Sequence, residues 1–484
     1  MGLRQLEYKK IVAIAFVIGL FMDILDTTII NVAVPALQKH FAVGPSGIEW
    51  VVTGYLCSLA VWIPASGWIG DRFGTKKTFI FALAMFTAAS ALCGAAWSLE
   101  SLIAFRVLQG VGGGMLAPVG TAMLFRAYPP AERARASAVL AIPTVIAPAL
   151  GPVLGGVLVT HASWRWIFYV NLPMGVAGLI FSVLFLKEHK EPQSGGFDLW
   201  GFILSGAGLA LVLFALAEGP SKGWTSTTVL ATGITGLVAF IALVFVELRV
   251  AEPMLDLRLF QDRMFRQANI VTMTMTGSLL GLLFLLPMFL QNLRGLSAEQ
   301  SGLATFPQAI GVMAMARFAG SLYPKIGPRR LMMAGSLANA AITACFVMVD
   351  LGTNLWWIRL LMFVRGMSMA FVMIPMQAAT FATITPAKTG RASSLANTNR
   401  QVGAALGVAI LATILTTRMS DLVPAAARLG KAAMVNAQVT AFHETMLVSA
   451  AIGVCGLIAA AFIHDSDAAA TLAGGPSGAS AAMH

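Results

Sequence analysis

The chain has 484 residues, 58% of them hydrophobic and only 11% charged, with a mean hydropathy of +0.81. A soluble domain carries about a quarter charged residues, so a single buried core is excluded and an all-α polytopic membrane protein is indicated. The formal charge of +11 gathers in loops, where it orients helices in a bilayer, so no nucleic-acid partner is needed to explain it.

A window of about nineteen residues places about fourteen spans. They lie near 11–35, 48–69, 78–98, 101–124, 135–159, 165–186, 199–217, 227–247, 267–291, 300–322, 331–350, 354–383, 391–416 and 440–463. Lys and Arg cluster before the first span and after each even-numbered one, with 417–437 the exception. That bias puts both termini in the cytoplasm. The first span lacks a small-residue cleavage site and reads as a permanent helix. Cys57, Cys93, Cys345 and Cys455 lie far apart within apolar spans and imply neither a disulfide nor a metal framework.

The first span holds FMDILDTTIINVAVP, residues 21–35. At 100° per residue, Asp23, Asp26, Thr27 and Asn31 share an arc of about 140°. A polar stripe on an apolar helix belongs against a cavity or a partner helix, because lipid does not solvate a carboxylate. The loop GWIGDRFGTKK (67–77) follows the second span. Gly67 and Gly74 permit close approach and a tight turn, and Asp71 is able to receive helix N-terminal N–H groups or pair with a basic residue. The fourth span holds RVLQGVGGGMLAP (106–118). Arg106 lies about 8 Å into it, and Asp26 about 14 Å from the outer end of its own helix, so a direct or water-bridged pair fits both depths. Gln109 is one turn along. In PTVIAPALGPVLGG (143–156), Ala147, Gly151 and Gly155 form a small-residue row, while Pro143, Pro148 and Pro152 remove backbone donors. Such a helix is suited to rock against a neighbour across two halves.

The chain repeats loosely at an offset of about 252–253 residues. GSLYPKIGPRR (320–330) echoes the 67–77 loop, pairing Gly67 with Gly320 and Gly74 with Gly327, with Pro324 in place of Asp71. Parallel repeats of this kind mark transporters whose site lies between the halves. The division expected is 1–190 and 264–464 as six-helix bundles, 191–263 as a linker with two extra spans, and 465–484 as a disordered, Ala/Gly/Ser-rich tail.

These four motifs together resemble the fourteen-span drug:proton antiporter branch of the major facilitator superfamily, over nearly all of residues 8–464. The resemblance implies two six-helix bundles plus two inserted helices, alternating access and export of lipophilic or amphipathic molecules against protons. Asp23 and Asp26 are the principal acids deep in the membrane, and Asp26 is expected to be the main coupling acid, beside Arg106, with Asp23 its helper or the counter-charge of the substrate. Gly67, Asp71, Arg72 and Gly74 become a latch at one membrane face. Pro148, Gly151, Pro152, Gly155 and Gly156 become the antiporter-helix motif. It implies no cofactor beyond the proton gradient, no metal and no catalytic residue. The protein is expected in a plasma membrane of bacterial inner-membrane type, as a monomer.

Some members of the family bind dications through acids in the second half. Here that half carries Arg317, Arg365 and Arg400 and no evident buried acid, which leaves monocations, neutral compounds and amphipathic anions as cargo. Asn31, Gln109, Gln291, Gln308, Gln377, Asn397 and Gln401 are the candidate polar lining of the cavity, alongside a methionine-rich second half. An exporter dedicated to a native lipid, siderophore or secondary metabolite, and a proton-coupled importer, share the same pattern. A channel filter, a metal-binding helix motif and a phosphate-binding loop have no counterpart in the sequence.

Overall fold

The computed structural model describes residues 7–43, 45–191 and 195–472. Among these residues there is helix and no strand, as hydrocarbon requires, since a helix satisfies its own backbone groups without water. The long helices are α1 (Tyr8–Phe41), α2 (Pro45–Phe73), α3 (Thr75–Gly94), α4 (Leu99–Ala127), α5 (Arg133–His161) and α6 (Asn171–Phe185). An inserted pair follows, α7 (Leu199–Lys222) and α8 (Thr227–Arg249). The last six are α9 (Arg263–Met288), α10 (Pro307–Ile326), α11 (Pro328–Cys345), α12 (Leu355–Thr380), α13 (Thr389–Ala427) and α14 (Lys431–Ala461).

Among the described residues, thirteen helices are long and apolar enough to cross a membrane. The span expected at 300–322 is the one that falls outside that set. It is broken into Ala298–Thr305 and α10, because Pro307 starts a new helix, and Gln308, Arg317 and Lys325 dilute its apolar content. At 20 residues it still measures about 30 Å, the thickness of a bilayer core.

Helices α1–α6 pack into one bundle and α9–α14 into a second. The bundles meet along two seams, α5 against α10 and α12, and α13 against α2 and α4. Of the inserted pair, α7 rests on α2 and α13, whereas α8 packs mainly on α7. Ile234, Leu237, Ile241 and Phe245 of α8 point outward, as suits a lipid-facing helix.

The repeat is visible in the turns that follow α2 and α10. Gly74 and Gly327 adopt φ of 104° and 89°, a region that side chains disfavour. The helix after each turn is capped from a distance. The Lys76 N–H donates to Glu188 Oε1 at 3.0 Å and the Arg329 N–H to Asp465 Oδ1 at 2.9 Å. This corrects the expectation of a disordered tail for its first part. Residues Asp465–Thr471 form a 3-10 helix, because Asp465 caps α11, Asp467 pairs with Arg263 at 2.9 Å, and Thr471 meets the Tyr323 hydroxyl at 2.8 Å. Residues 473–484 and the expected basic residue Arg4 lie outside the described residues.

Removing the cap by Asp465→Ala is expected to cost about 1 kcal/mol. A thermal unfolding scan of the purified protein checks this, with a lowered midpoint for Asp465→Ala and none for Ser466→Ala.

Candidate functional site

The first bundle buries an ion pair. Arg106 of α4 donates through Nη1 to Asp26 Oδ2 of α1, and the two side chains are 0% and 1% exposed. Their surroundings complete the shell. Gln109 Nε2 donates to Asp26 Oδ1 at 2.9 Å, Asn171 Nδ2 of α6 to the same oxygen at 3.2 Å, and Arg106 Nε to the Val51 carbonyl at 3.1 Å. The guanidinium also lies over the Tyr55 ring, 4.2 Å from its centroid. An isolated charge here would cost many kcal/mol, so four helices converge on one carboxylate to offset its burial. Asn171 was not among the sequence candidates. Its amide sits at the start of α6, where a lone polar residue gives no periodic signal.

Asp23 lies one turn away and is held differently. Its Oδ1 accepts a single side-chain hydrogen bond, from the Tyr55 hydroxyl at 2.6 Å, and it retains 8% exposure. Toward the N-terminal end of α1 the same face continues through Leu20 and Phe16, which line a cavity between the bundles. That cavity holds about 60 Å³, room for about two waters. Thr121, Thr144, Thr272, Gln377 and Asn397 give it a polar lining, and Arg400 is the one charged residue there. Arg400 Nη2 donates to Asn397 Oδ1 at 3.0 Å. Among the described residues it makes no ion pair, but its charge acts on Asp23.

The second bundle mirrors the buried arginine without the acid. Arg365 of α12 is 0% exposed and donates to Gln308 Oε1 at 2.9 Å, Thr343 Oγ1 at 3.1 Å and the Ser278 carbonyl at 3.3 Å. Each arginine meets a glutamine oxygen, but Gln308 comes from α10, whereas Gln109, 2.8 Å from Arg106 Nη1, lies three residues along α4 from its arginine. Among the described residues no carboxylate pairs with Arg365.

At the end of the molecule carrying the 67–77 loop, the two bundles are in contact. A Cβ added to Gly67 would lie 2.6 Å from the Gly390 carbonyl oxygen, so only glycine lets α2 and α13 approach this closely. Ser66 and Ser394 share a hydrogen bond of 2.9 Å, and Ser393 donates to the Pro118 carbonyl at 2.6 Å. Arg126 joins the halves, donating to Asp71 Oδ1 at 2.7 Å and to the Pro386 carbonyl at 3.2 Å. Arg133 reaches the Phe381 carbonyl, and Arg391 pairs with Glu252 of the inserted segment. Arg72, expected in the latch, is exposed, and its place beside Asp71 is taken by Arg126.

The small-residue row of α5 faces α1 in its own bundle, while other residues of the same helix meet α10 and α12 of the second half. Thr28 donates to the Ala147 carbonyl at 3.5 Å, a Cβ on Gly151 would strike Thr28, and one on Gly155 would strike Ile29. Gly156 has open space around it. Pro152 turns toward Gly302 of the second half, while Pro148 lies mid-helix. Where α5 meets α10, Ala134 and Ala138 lie beside Gly320. Of the polar candidates, Gln377 and Asn397 line the cavity, and Gln109 and Gln308 belong to the two arginine clusters. Gln401 is half-buried beside Arg400 in sequence, outside the lining. Asn31 is exposed toward the far end of α1, and Gln291 is exposed on the π-helical turn Phe289–Leu293. Neither reaches the cavity.

Comparison with known proteins gives a match between residues 16–408 and the Major Facilitator Superfamily. An MFS-type transporter, YhcA, from Bacillus subtilis (strain 168) is 35% identical over 405 residues, covering 84% of this chain and 76% of its own. A multidrug resistance protein B homolog from Mycobacterium tuberculosis (strain ATCC 25618 / H37Rv) is 36% identical over 405 residues, covering 83% and 75%. Among solved structures, the human organic anion transporter MFSD10 (TETRAN) superposes with a TM-score of 0.65 at 15% identity, covering 93% of this chain and 99% of that one. The proton:xylose symporter XylE, bound to 6-bromo-6-deoxy-D-glucose, gives 0.62 at 12% identity, covering 93% and 94%. At these identities the structural likeness concerns the fold.

Two outcomes follow from this geometry. Arg106→Gln leaves Asp26 buried without its cation, and a loss of about 3–5 kcal/mol is expected, read as a lowered thermal midpoint that Asp26→Asn in the same chain partly restores. Gly67→Val is expected to hold α2 and α13 apart. Spin labels on the two helices near residues 67 and 390 check this by a longer distance than in the unsubstituted chain.

Proposed function

The chain belongs to the Major Facilitator Superfamily, a family of membrane transporters and not of enzymes, and on that premise we propose that it exports lipophilic or amphipathic molecules in exchange for protons. The multidrug-resistance name of a relative at 36% identity supports export of such compounds. The observation that carries proton coupling is the pair of carboxylates, Asp23 and Asp26, within one membrane-spanning helix. With the basic end in the cytoplasm of a bacterial plasma membrane, the contacts around Gly67 and Asp71 close the cytoplasmic side. They would have to part for cargo to enter.

The two acids divide the work in the reverse of the order expected from sequence. Asp26 is tied to Arg106, Gln109 and Asn171, so protonating it would strand a buried guanidinium. Asp23 has one neutral donor and residual access, the condition for taking up and releasing a proton as the cavity opens to either side. Asp26 and Arg106 then form the fixed, neutral support beneath it.

Inside-out vesicles with an acid lumen test this reading. Adding a transported dye should release lumenal protons, and Asp23→Asn should reduce that release at least about tenfold, the loss of roughly 1.4 kcal/mol of coupling. Asp26→Asn should retain coupling in whatever fraction folds. Release that survives Asp23→Asn and disappears with Asp26→Asn reverses the assignment. The absence of proton movement with every dye, from a protein that binds them, removes proton exchange altogether.

A further inference from the structure

Asp23 and Arg400 come from opposite bundles to one cavity, Arg400 in its wall and Asp23 one turn beyond it. Phe16 and Leu20 of α1 line that cavity, and Asp23 follows on the same face. On α4, Ala117 lines it, and Gly113, four residues earlier, lies against the carboxylate. A Cβ added there would be 3.0 Å from Asp23 Oδ1. Two helices therefore carry the cavity wall to Asp23 within one turn, about 5 Å. On the other side Arg400 of α13 belongs to the wall itself. Arg400 thus stands in the wall of the polar space and Asp23 one turn beyond its edge, and among the described residues the two make no direct ion pair.

We infer that the cavity recognises zwitterionic amphiphiles, with the cationic group of the cargo toward Asp23 and its anionic group toward Arg400. This rests on the exporter reading above and names its cargo class. A simple cation would gain Asp23 and meet repulsion from Arg400. A simple anion would gain Arg400 and be repelled by ionised Asp23. Only a molecule carrying both charges satisfies both walls, and Thr121, Thr144, Thr272 and Gln377 offer hydrogen bonds between them. At about 60 Å³ the space is too small for a drug-sized molecule, so binding requires the bundles to part.

Coupling has a definite sign under this arrangement. A proton on Asp23 removes the partner of the cargo's cationic end, so proton and zwitterion compete for one carboxylate, as exchange requires. A simple anion would do the opposite, since protonating Asp23 would free Arg400 and strengthen binding. Proton and anion would then travel together. The ionisable groups around Asp23 are Tyr55 on α2, Asp26 on α1, Arg106 on α4 and Arg400 on α13. Asp26 and Arg106 neutralise each other, which leaves Arg400 as the charge that cargo engages.

Rhodamine B, a zwitterion, and its ethyl ester, a cation with the same ring system, separate the possibilities in a fluorescence-anisotropy titration of the purified full-length protein. Rhodamine B should bind about tenfold more tightly than the ester, the worth of one charge-assisted hydrogen bond. Arg400→Gln should erase that preference and Arg400→Lys should keep most of it, which separates a charge contact from a folding defect. Acidification should weaken rhodamine B binding in the unsubstituted chain and leave Asp23→Asn unaffected. Equal or tighter binding of the ester, or a preference unchanged in Arg400→Gln, overturns the inference. Fluorescein, an anion, binding more tightly on acidification than rhodamine B does at any pH also overturns it. Proteoliposomes carrying a proton gradient distinguish the two levels. Dye movement without a zwitterion preference sinks only this inference, whereas a zwitterion preference in binding without gradient-driven movement sinks proton exchange.

Discussion

A charge in hydrocarbon must be answered within a few ångströms, and the pairing of Arg106 with Asp26 is where this chain meets that demand. The guanidinium comes from α4, the carboxylate from α1, and their further partners from α2 and α6. Moving any of these helices by one turn would leave a donor or acceptor bare in low dielectric. The cluster therefore fixes the register of the first bundle more tightly than small-residue packing alone. It also leaves the site above it free to specialise, because Asp23 needs no part in holding the helices together.

The second bundle solves the same problem with half the charge. Arg365 leans on an amide, a hydroxyl and a backbone carbonyl, all dipoles and none an anion. The second bundle thus keeps a buried arginine but not the neutrality of its site. Asymmetry at matching positions recurs at the basic end, where Asp71 of the first loop corresponds to Pro324 of the second. The arginine contacts that shut this end, to carboxylates from Arg126 and Arg391 and to a backbone carbonyl from Arg133, gather along the seams where α5 and α13 begin.

Much of this was legible in the sequence, and the reasons differ by feature. Hydropathy alone marked the helices, because spans of about twenty apolar residues have few other uses. The signal is weakest at α10, where Gln308 is buried and Arg317 exposed and both lower the apolar content. Depth along two helices was enough to bring Asp26 and Arg106 to one level. The donors Tyr55 and Asn171 stayed hidden, since which helices neighbour α1 is a matter of tertiary packing and single polar residues carry no period. Arg126 was visible only as an orienting charge, whereas Arg72, adjacent to Asp71 in sequence, points outward. Glycine and alanine spacing announced a close contact for α5 but left its partner open, and the partner proved to be α1.

The capped turns at Gly74 and Gly327 bear on how such a chain tolerates additions. Glu188 comes from just beyond α6 and Asp465 from just beyond α14, so the end of each bundle is fastened back to the start of its own third helix. Each bundle is in effect closed into a loop, and its integrity does not depend on the chain that leaves it. Between residue 191 and α9 the polypeptide is free to take a longer route, since lengthening a connection whose ends are already anchored costs little. The hairpin of α7 and α8 occupies that slack as a bay on the outside of a complete twelve-helix vessel. Modularity of this sort is written in two carboxylates, each guarding a seam in the chain where new material enters or ends.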